Sequence, residues 1–162
     1  MEHNSFINLV EILKSQVAHY TDVRDTLAEE KTAVTSWNTK AVFELNKHKE
    51  QLVKKEKLLE EARKTLSMRI MQEYGLSEDT VSAIIEVCDD EEVREELISL
   101  RDNLLILVSE ISQITVSLKV LYSTNLKIMN DVRVRMGYLP SNKYGMEQKP
   151  TSSIPSSLQV IG

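Results

Sequence analysis

The chain has 162 residues and a formal net charge of −5, from 20 basic and 25 acidic side chains, with one Cys and 5% aromatic residues. A single Cys excludes a disulfide framework and a Cys-based zinc site. The acidic balance and the few aromatic rings argue against a nucleic-acid binder. The chain has no run of about 18 uncharged apolar residues, and residues 1–5 lack the basic and apolar regions of a secretory signal, so the sequence predicts a soluble cytoplasmic protein.

Glycine and proline are distributed as in a protein built from long helices. The three prolines are Pro140, Pro150 and Pro155, and Gly75 is the only glycine before Gly137. Sheets need a turn about every 8–12 residues, so a chain with so few breakers is predicted to be all-α. Both glycines are expected to end helices, because glycine tolerates the left-handed conformation used by helix C-caps.

Apolar residues at steps of three and four residues predict four helices. Residues 35–39 are predicted to form a turn, and Cys88, near the end of the short helix, is predicted to be a buried structural thiol. Acidic residues at 89–92 favour the start of the last helix. The four helices are predicted at about 4–35, 40–74, 78–88 and 91–136.

The last predicted helix has the most regular apolar stripe, repeating in heptad-like steps. A second stripe makes its middle apolar on another side, which predicts burial between two partners. The stripes are Val93, Leu97, Leu100, Leu104, Leu107, Ile111, Ile114, Leu118, Leu121, Asn125, Ile128 and Val132, and Leu105, Val108, Val116 and Val120.

The predicted helix lengths differ. At 1.5 Å per residue the last helix reaches roughly 70 Å, and the first two reach roughly 45–55 Å. We therefore predict an elongated antiparallel helical bundle of three long helices plus one short helix over residues 1–137. The last helix is expected to exceed its neighbours from about Leu118 onward. Residues 138–162 hold all the prolines and several serines, which predicts a flexible tail whose scattered apolar residues suit segmental docking.

The sequence lacks the patterns that catalysis, metals or cofactors require. His19 and His48 are both predicted to lie off the core face, and neither has a His or Cys at helical spacing. A phosphotransfer role for His48 is disfavoured, because the segment after it lacks small residues. Neighbouring carboxylates such as Glu29 and Glu30 point about 100° apart on a helix and do not converge. We expect a protein that is not an enzyme and that binds another helix; a structural tether that self-associates through its heptad stripes is the alternative.

Several segments resemble the FlgN-type flagellar export chaperones, over nearly the whole chain. Two features depart from the family: the many β-branched residues around 106–120, and Trp37, where the family often has a small turn residue. The matching segments are Leu27–Lys31, Asn38–Leu45, Leu58–Arg63, Gly75-Leu76, Asn125–Met129 and Lys143–Gly145.

The resemblance implies a chaperone that binds the C-terminal helical segments of hook-associated proteins of the FlgK and FlgL type. Such a chaperone prevents premature assembly and delivers its client to the export gate, a membrane protein with a cytoplasmic domain of the FlhA type. It implies gate docking through Tyr144 and Gly145, with no nucleic acid and no direct membrane insertion, and it is compatible with a weak homodimer. The expected client-binding residues are Leu118, Leu121, Tyr122, Asn125, Ile128, Met129, Val132 and Met136.

Overall fold

A computed structural model describes residues 2–137, which form helices and short connections without strands. The all-α class and the order of three long helices and one short helix are confirmed. The helices are α1 (Glu2–Thr35), α2 (Thr39–Tyr74), α3 (Val81–Glu86) and α4 (Glu91–Arg135). The predicted tail, 138–162, lies outside the described residues. The chain divides into two units, 1–122 and 123–162, and the structure describes the second of them over residues 123–137.

Local capping explains where the helices begin and end. Thr80 accepts a hydrogen bond from the backbone N–H of Ala83 at 3.2 Å, so α3 begins at Val81 and is shorter than the predicted helix over 78–88. Gly75 has φ +66° and its N–H donates to the carbonyl of Met71, which closes α2 as predicted. Asp90 accepts from the backbone N–H of Val93 at 3.1 Å and caps the start of α4.

Polar contacts in the first unit give the helix directions. Contacts from α1 to α2 pair rising with falling residue numbers, so these helices are antiparallel. Contacts from α1 to α4 pair rising with rising numbers, so α4 runs parallel to α1. The pairs to α2 are Gln16–Glu60, Tyr20–Glu56 and Glu30–Lys49, and those to α4 are Lys14–Glu96, Arg24–Glu110 and Glu30–Tyr122.

The apolar core lies where the first half of α1 meets the end of α2, the short α3 and the start of α4. The side chains of Leu9, Leu13, Ile70, Ile84 and Leu97 are fully buried there. Burying such a side chain stabilises the fold by about 1.5–3 kcal/mol. The cluster comprises Phe6, Leu9, Val10, Leu13, Leu66, Ile70, Ile84, Ile85, Cys88, Leu97 and Leu100, so Cys88 is buried as predicted.

The turn between α1 and α2 contains a strained residue. Trp37 has φ +57° and is the only described non-glycine residue with positive φ, and its side chain is 51% exposed. Asn38 accepts from the N–H of Ala41 at 3.1 Å and caps α2. A side chain in the left-handed region costs about 1–2 kcal/mol, and the exposed indole recovers little of that cost through burial.

Trp37→Gly is expected to raise the free energy of unfolding by about 0.5–1 kcal/mol, because the released strain exceeds the added entropy of glycine in the unfolded chain. Ser36→Gly is the control, since Ser36 has no positive φ and its hydroxyl donates to the Thr32 carbonyl at 2.9 Å. The Ser36→Gly control should lower the free energy of unfolding. Urea unfolding of the full chain measures both changes, and a Trp37→Gly chain less stable than wild type would contradict the strain argument.

Candidate protein-binding surfaces

A polar seam lies between α1 and α2, beyond the apolar core. His19 is fully buried, and its Nε2 lies 2.8 Å from Glu56 Oε2, although neither atom completes a hydrogen bond. The Tyr20 hydroxyl donates to Glu56 Oε1 at 2.5 Å, and burial together with this bond raises the pKa of Tyr20. The prediction that His19 lies off the core face is therefore wrong. In this part of α1 the buried face no longer coincides with the heptad stripe, and it includes polar residues.

A second set of charged side chains lies at the end of the seam that is nearer to the apolar core. Arg63 donates to both carboxylate oxygens of Glu60, at 2.6 and 2.9 Å, and this bond lowers the pKa of Glu60. The amide of Gln16, which is 3% exposed, donates to Glu60 at 3.4 Å. The α1–α2 contact is therefore held by hydrogen bonds and ion pairs where the apolar core ends.

Glu30 of α1 accepts hydrogen bonds from side chains of both other long helices. It is 1% exposed, and Lys49 of α2 donates to both of its carboxylate oxygens, at 2.9 and 2.8 Å. The Tyr122 hydroxyl of α4 donates to Glu30 Oε1 at 2.5 Å. Burial first, and then the bond to Glu30, raise the pKa of Tyr122 to about 12. A buried carboxylate requires such partners, because its desolvation costs several kcal/mol.

The middle of α4 exposes an apolar face. The more regular of the two predicted stripes, which we call the inner stripe, packs against the other helices of the first unit. Its members Leu100, Leu107 and Leu118 are at most 9% exposed. The second stripe does not: Leu105 is 63% exposed and Val116 is 59% exposed. Among residues 2–137, α1 and α2 cover only one side of α4, so the prediction that α4 is buried between two partners is wrong for this part of the chain.

By length and composition alone, α4 is long and apolar enough to cross a membrane. It is the one helix among the described residues with this property. Only 11% of its apolar 18-residue window is buried. The sequence does not show this property as an uninterrupted apolar run, because Glu110 lies within it. A single helix of this kind is weak evidence for a membrane span.

The second unit contains the end of α4, where most of the predicted client-binding residues lie. Every residue from 126 to 137 is exposed, and Asn125 is half-buried. The exposed large apolar side chains are Leu126, Ile128, Met129, Val132, Val134 and Met136.

The remaining predicted residues are placed differently. Leu118 is 5% exposed and belongs to the core of the first unit, Leu121 is half-buried, and the hydroxyl of Tyr122 is bound to Glu30. Tyr144 and Gly145 lie outside the described residues.

The other reactive side chains lie apart from one another. His48 lies 3.2 Å from Asp22 and its side chain is 43% exposed, and burial raises the pKa of the Cys88 thiol. Within residues 4–137, no group of three or more His, Cys, Asp or Glu side chains could hold a metal ion.

Comparison with protein families identifies the chain. The model of the FlgN protein family matches residues 1–132. The chain belongs to the FlgN family. The resemblance found in the sequence is thereby confirmed. No curated protein and no solved structure matches the chain. The FlgN family consists of cytoplasmic flagellar export chaperones, and its members bind hook-associated proteins.

Loss of the Lys49 ammonium would leave the Glu30 carboxylate buried with Tyr122 as its remaining donor. Lys49→Met is therefore expected to lower the free energy of unfolding by about 2–3 kcal/mol. The control Lys47→Met removes an ammonium that is 58% exposed and paired with Glu44, and it should change stability by about 0.5 kcal/mol at most. Urea unfolding midpoints measure both variants, and equal effects would contradict a special role for Glu30.

The raised pKa of Tyr122 predicts a loss of stability in alkali. Between pH 10.0, the ordinary value, and about 12, the folded state keeps a proton that the unfolded state has lost. The contribution of Tyr122 is thus complete below pH 10.0 and declines as the pH rises toward about 12. The stability difference between wild type and Tyr122→Phe should be constant below this window and shrink within it. A difference that stays constant throughout would refute the bond to Glu30.

Proposed function

We propose that this chain is a cytoplasmic chaperone that binds the C-terminal helical segments of hook-associated proteins, prevents their premature assembly and delivers them to the flagellar export gate. Membership in the FlgN family supports the class of client. The observation that carries the proposal is the apolar end of α4, where six large apolar side chains between residues 126 and 136 are 39–70% exposed.

The exposed residues are arranged to receive a helix. We define the client stripe as Asn125, Ile128, Met129, Val132 and Met136; steps of three and four place them on one side of α4. An amphipathic client helix would lay its own apolar face against this stripe. The two methionines suit more than one client, because their side chains adapt to irregular surfaces. Asn125 is the polar member of the stripe and would favour one register of the client.

The energy available fits a reversible complex. Each Val, Ile or Met side chain that becomes fully buried contributes about 1.5–3 kcal/mol. Association itself costs about 4–15 kcal/mol in lost freedom of motion. Four apolar side chains on each partner would contribute at most about 12–24 kcal/mol, which is of the same order as this cost, so the complex is expected to be reversible. Because Leu118 is buried, we do not include it in the proposed contact.

We propose that Tyr144 and Gly145 dock on the cytoplasmic domain of the export gate. The support is the Lys143-Tyr144-Gly145 segment, which resembles the Tyr-Gly step typical of the family. This contact would involve residues separate from the client stripe. Client binding and delivery can therefore be impaired independently of each other.

Val132→Asp is expected to weaken binding of a C-terminal helical segment of a hook-associated protein at least about tenfold, because the carboxylate would be desolvated in the contact. Fluorescence anisotropy with a labelled segment measures the affinity. Val53→Asp is the matched control, since Val53 is 69% exposed on α2, and it should bind as wild type does. Tyr144→Ala should retain the client and lose affinity for the gate domain. Unchanged client binding by Val132→Asp would contradict the proposed surface.

A further inference from the structure

A cavity with a volume of about 280 Å³ lies between α1 and α2 in the first unit, next to the polar seam. Almost all of its lining surface is apolar. An apolar cavity of about 150 Å³ is enough to bind benzene, so this one has room for a molecule of two fused rings. The lining residues are His19, Val23, Leu27, Lys49, Leu52, Val53 and Glu56.

One wall of the cavity contains a hydrogen-bond acceptor without a partner. His19 is fully buried, and among residues 2–137 its Nδ1 atom has no hydrogen-bond partner. Its Nε2 atom lies 2.8 Å from Glu56 Oε2, so we assign the proton of the neutral imidazole to Nε2, which leaves Nδ1 as an acceptor. Buried polar atoms in native proteins are nearly always paired. A ligand that donates one hydrogen bond would supply the missing partner.

The charged residues at the cavity disfavour an ionic ligand. An anion would face the carboxylate of Glu56, and a cation would face the ammonium of Lys49. Both groups already have partners, because Lys49 is bound to Glu30 at 2.8 Å and Glu56 accepts from the Tyr20 hydroxyl. An ion of either sign would also lose its hydration among the apolar walls. An uncharged molecule avoids these costs.

We propose that this cavity binds a small, uncharged aromatic molecule that carries one N–H or O–H donor, of the indole or phenol class, with its donor directed at His19 Nδ1. Apolar walls with a single orienting polar group are typical of small-molecule sites. A rigid ring fills such a space with little loss of conformational entropy. The cavity shares no residue with the client stripe, so the proposal does not depend on the client function.

A free molecule fits this cavity better than a side chain of a partner protein. Six of the seven lining residues are buried or half-buried, and Val53 is the one that is exposed. A partner's side chain would have to bring its own backbone close to these withdrawn walls, whereas a free ring enters beside Val53. A ligand of this size makes few contacts, so we expect a dissociation constant of about 0.1–1 mM.

Nuclear magnetic resonance of the full chain tests the site with two probes of nearly the same shape, indole and benzothiophene, of which only indole has an N–H. Indole should shift the amide signals of the lining residues in a saturable way and should also move the ¹⁵N signal of His19 Nδ1. Benzothiophene should leave the Nδ1 signal in place. No saturable shift by about 5 mM indole, or an equal Nδ1 shift with both probes, would overturn the proposal.

Two variants test the location and the hydrogen bond. Val23→Phe places a larger side chain in the wall and should weaken indole binding at least about tenfold, whereas Val42→Phe, at another half-buried valine outside the lining, should bind as wild type does. His19→Phe should lower the ratio of indole to benzothiophene affinity about fivefold, the effect of one lost hydrogen bond. Wild-type indole affinity in Val23→Phe would overturn the proposal. If a variant fails to fold, the probe pair on the wild-type chain decides.

A third probe distinguishes the two sources of an indole ring. N-acetyltryptophanamide carries the ring on a peptide backbone, as a partner protein would present it. It should bind at least about tenfold more weakly than free indole, because its backbone groups do not fit between the half-buried walls. Tighter binding of N-acetyltryptophanamide than of indole would overturn the assignment to a free molecule.

Discussion

The amount of apolar surface on α4 is the constraint on which the rest of the structure depends. In the first unit the hairpin of α1 and α2 covers one side of this helix and buries Leu97, Leu100, Leu107 and Leu118. Within the part of the chain that the structure describes, the opposite side is left exposed, with Leu105, Val116 and Val120 each about 60% exposed. Each apolar side chain left in water forgoes about 1.5–3 kcal/mol of burial. A partner that covers such side chains recovers this energy, which gives a physical basis for a binding role.

Polar contacts hold α4 in one register on the hairpin. The inner stripe repeats every seven residues, so a shift by one heptad would again place apolar residues against α1 and α2. Lys14–Glu96, Arg24–Glu110 and Glu30–Tyr122 distinguish the observed register from the shifted ones. Only the last of these contacts has a fully buried member. It therefore has the greatest effect, because the carboxylate of Glu30 would lose its phenol donor in any other register.

The sequence predicts the helices well and the seam between them poorly. Gly75, Thr80 and the acidic residues before α4 are local signals, and they locate the helix ends to within a few residues. His19 and Glu30 could not be assigned to the interior in this way, because hydrophobic periodicity identifies only apolar faces. Glu30 adjoins the exposed Glu29, and nothing in the sequence separates the two. Similarly, the second stripe of α4 indicates an apolar face, but the number of helices available to cover it depends on the tertiary arrangement.

The central claim is that the apolar end of α4 is made available to a client helix. Amide hydrogen exchange of the full chain, with and without a C-terminal segment of a hook-associated protein, tests it most directly. The account predicts slower exchange over residues 123–136 when the segment is bound, with little change in the amides around Leu9, Ile70 and Leu97, which are already fully buried. Protection confined to α1 and α2, with residues 123–136 unchanged, would contradict it.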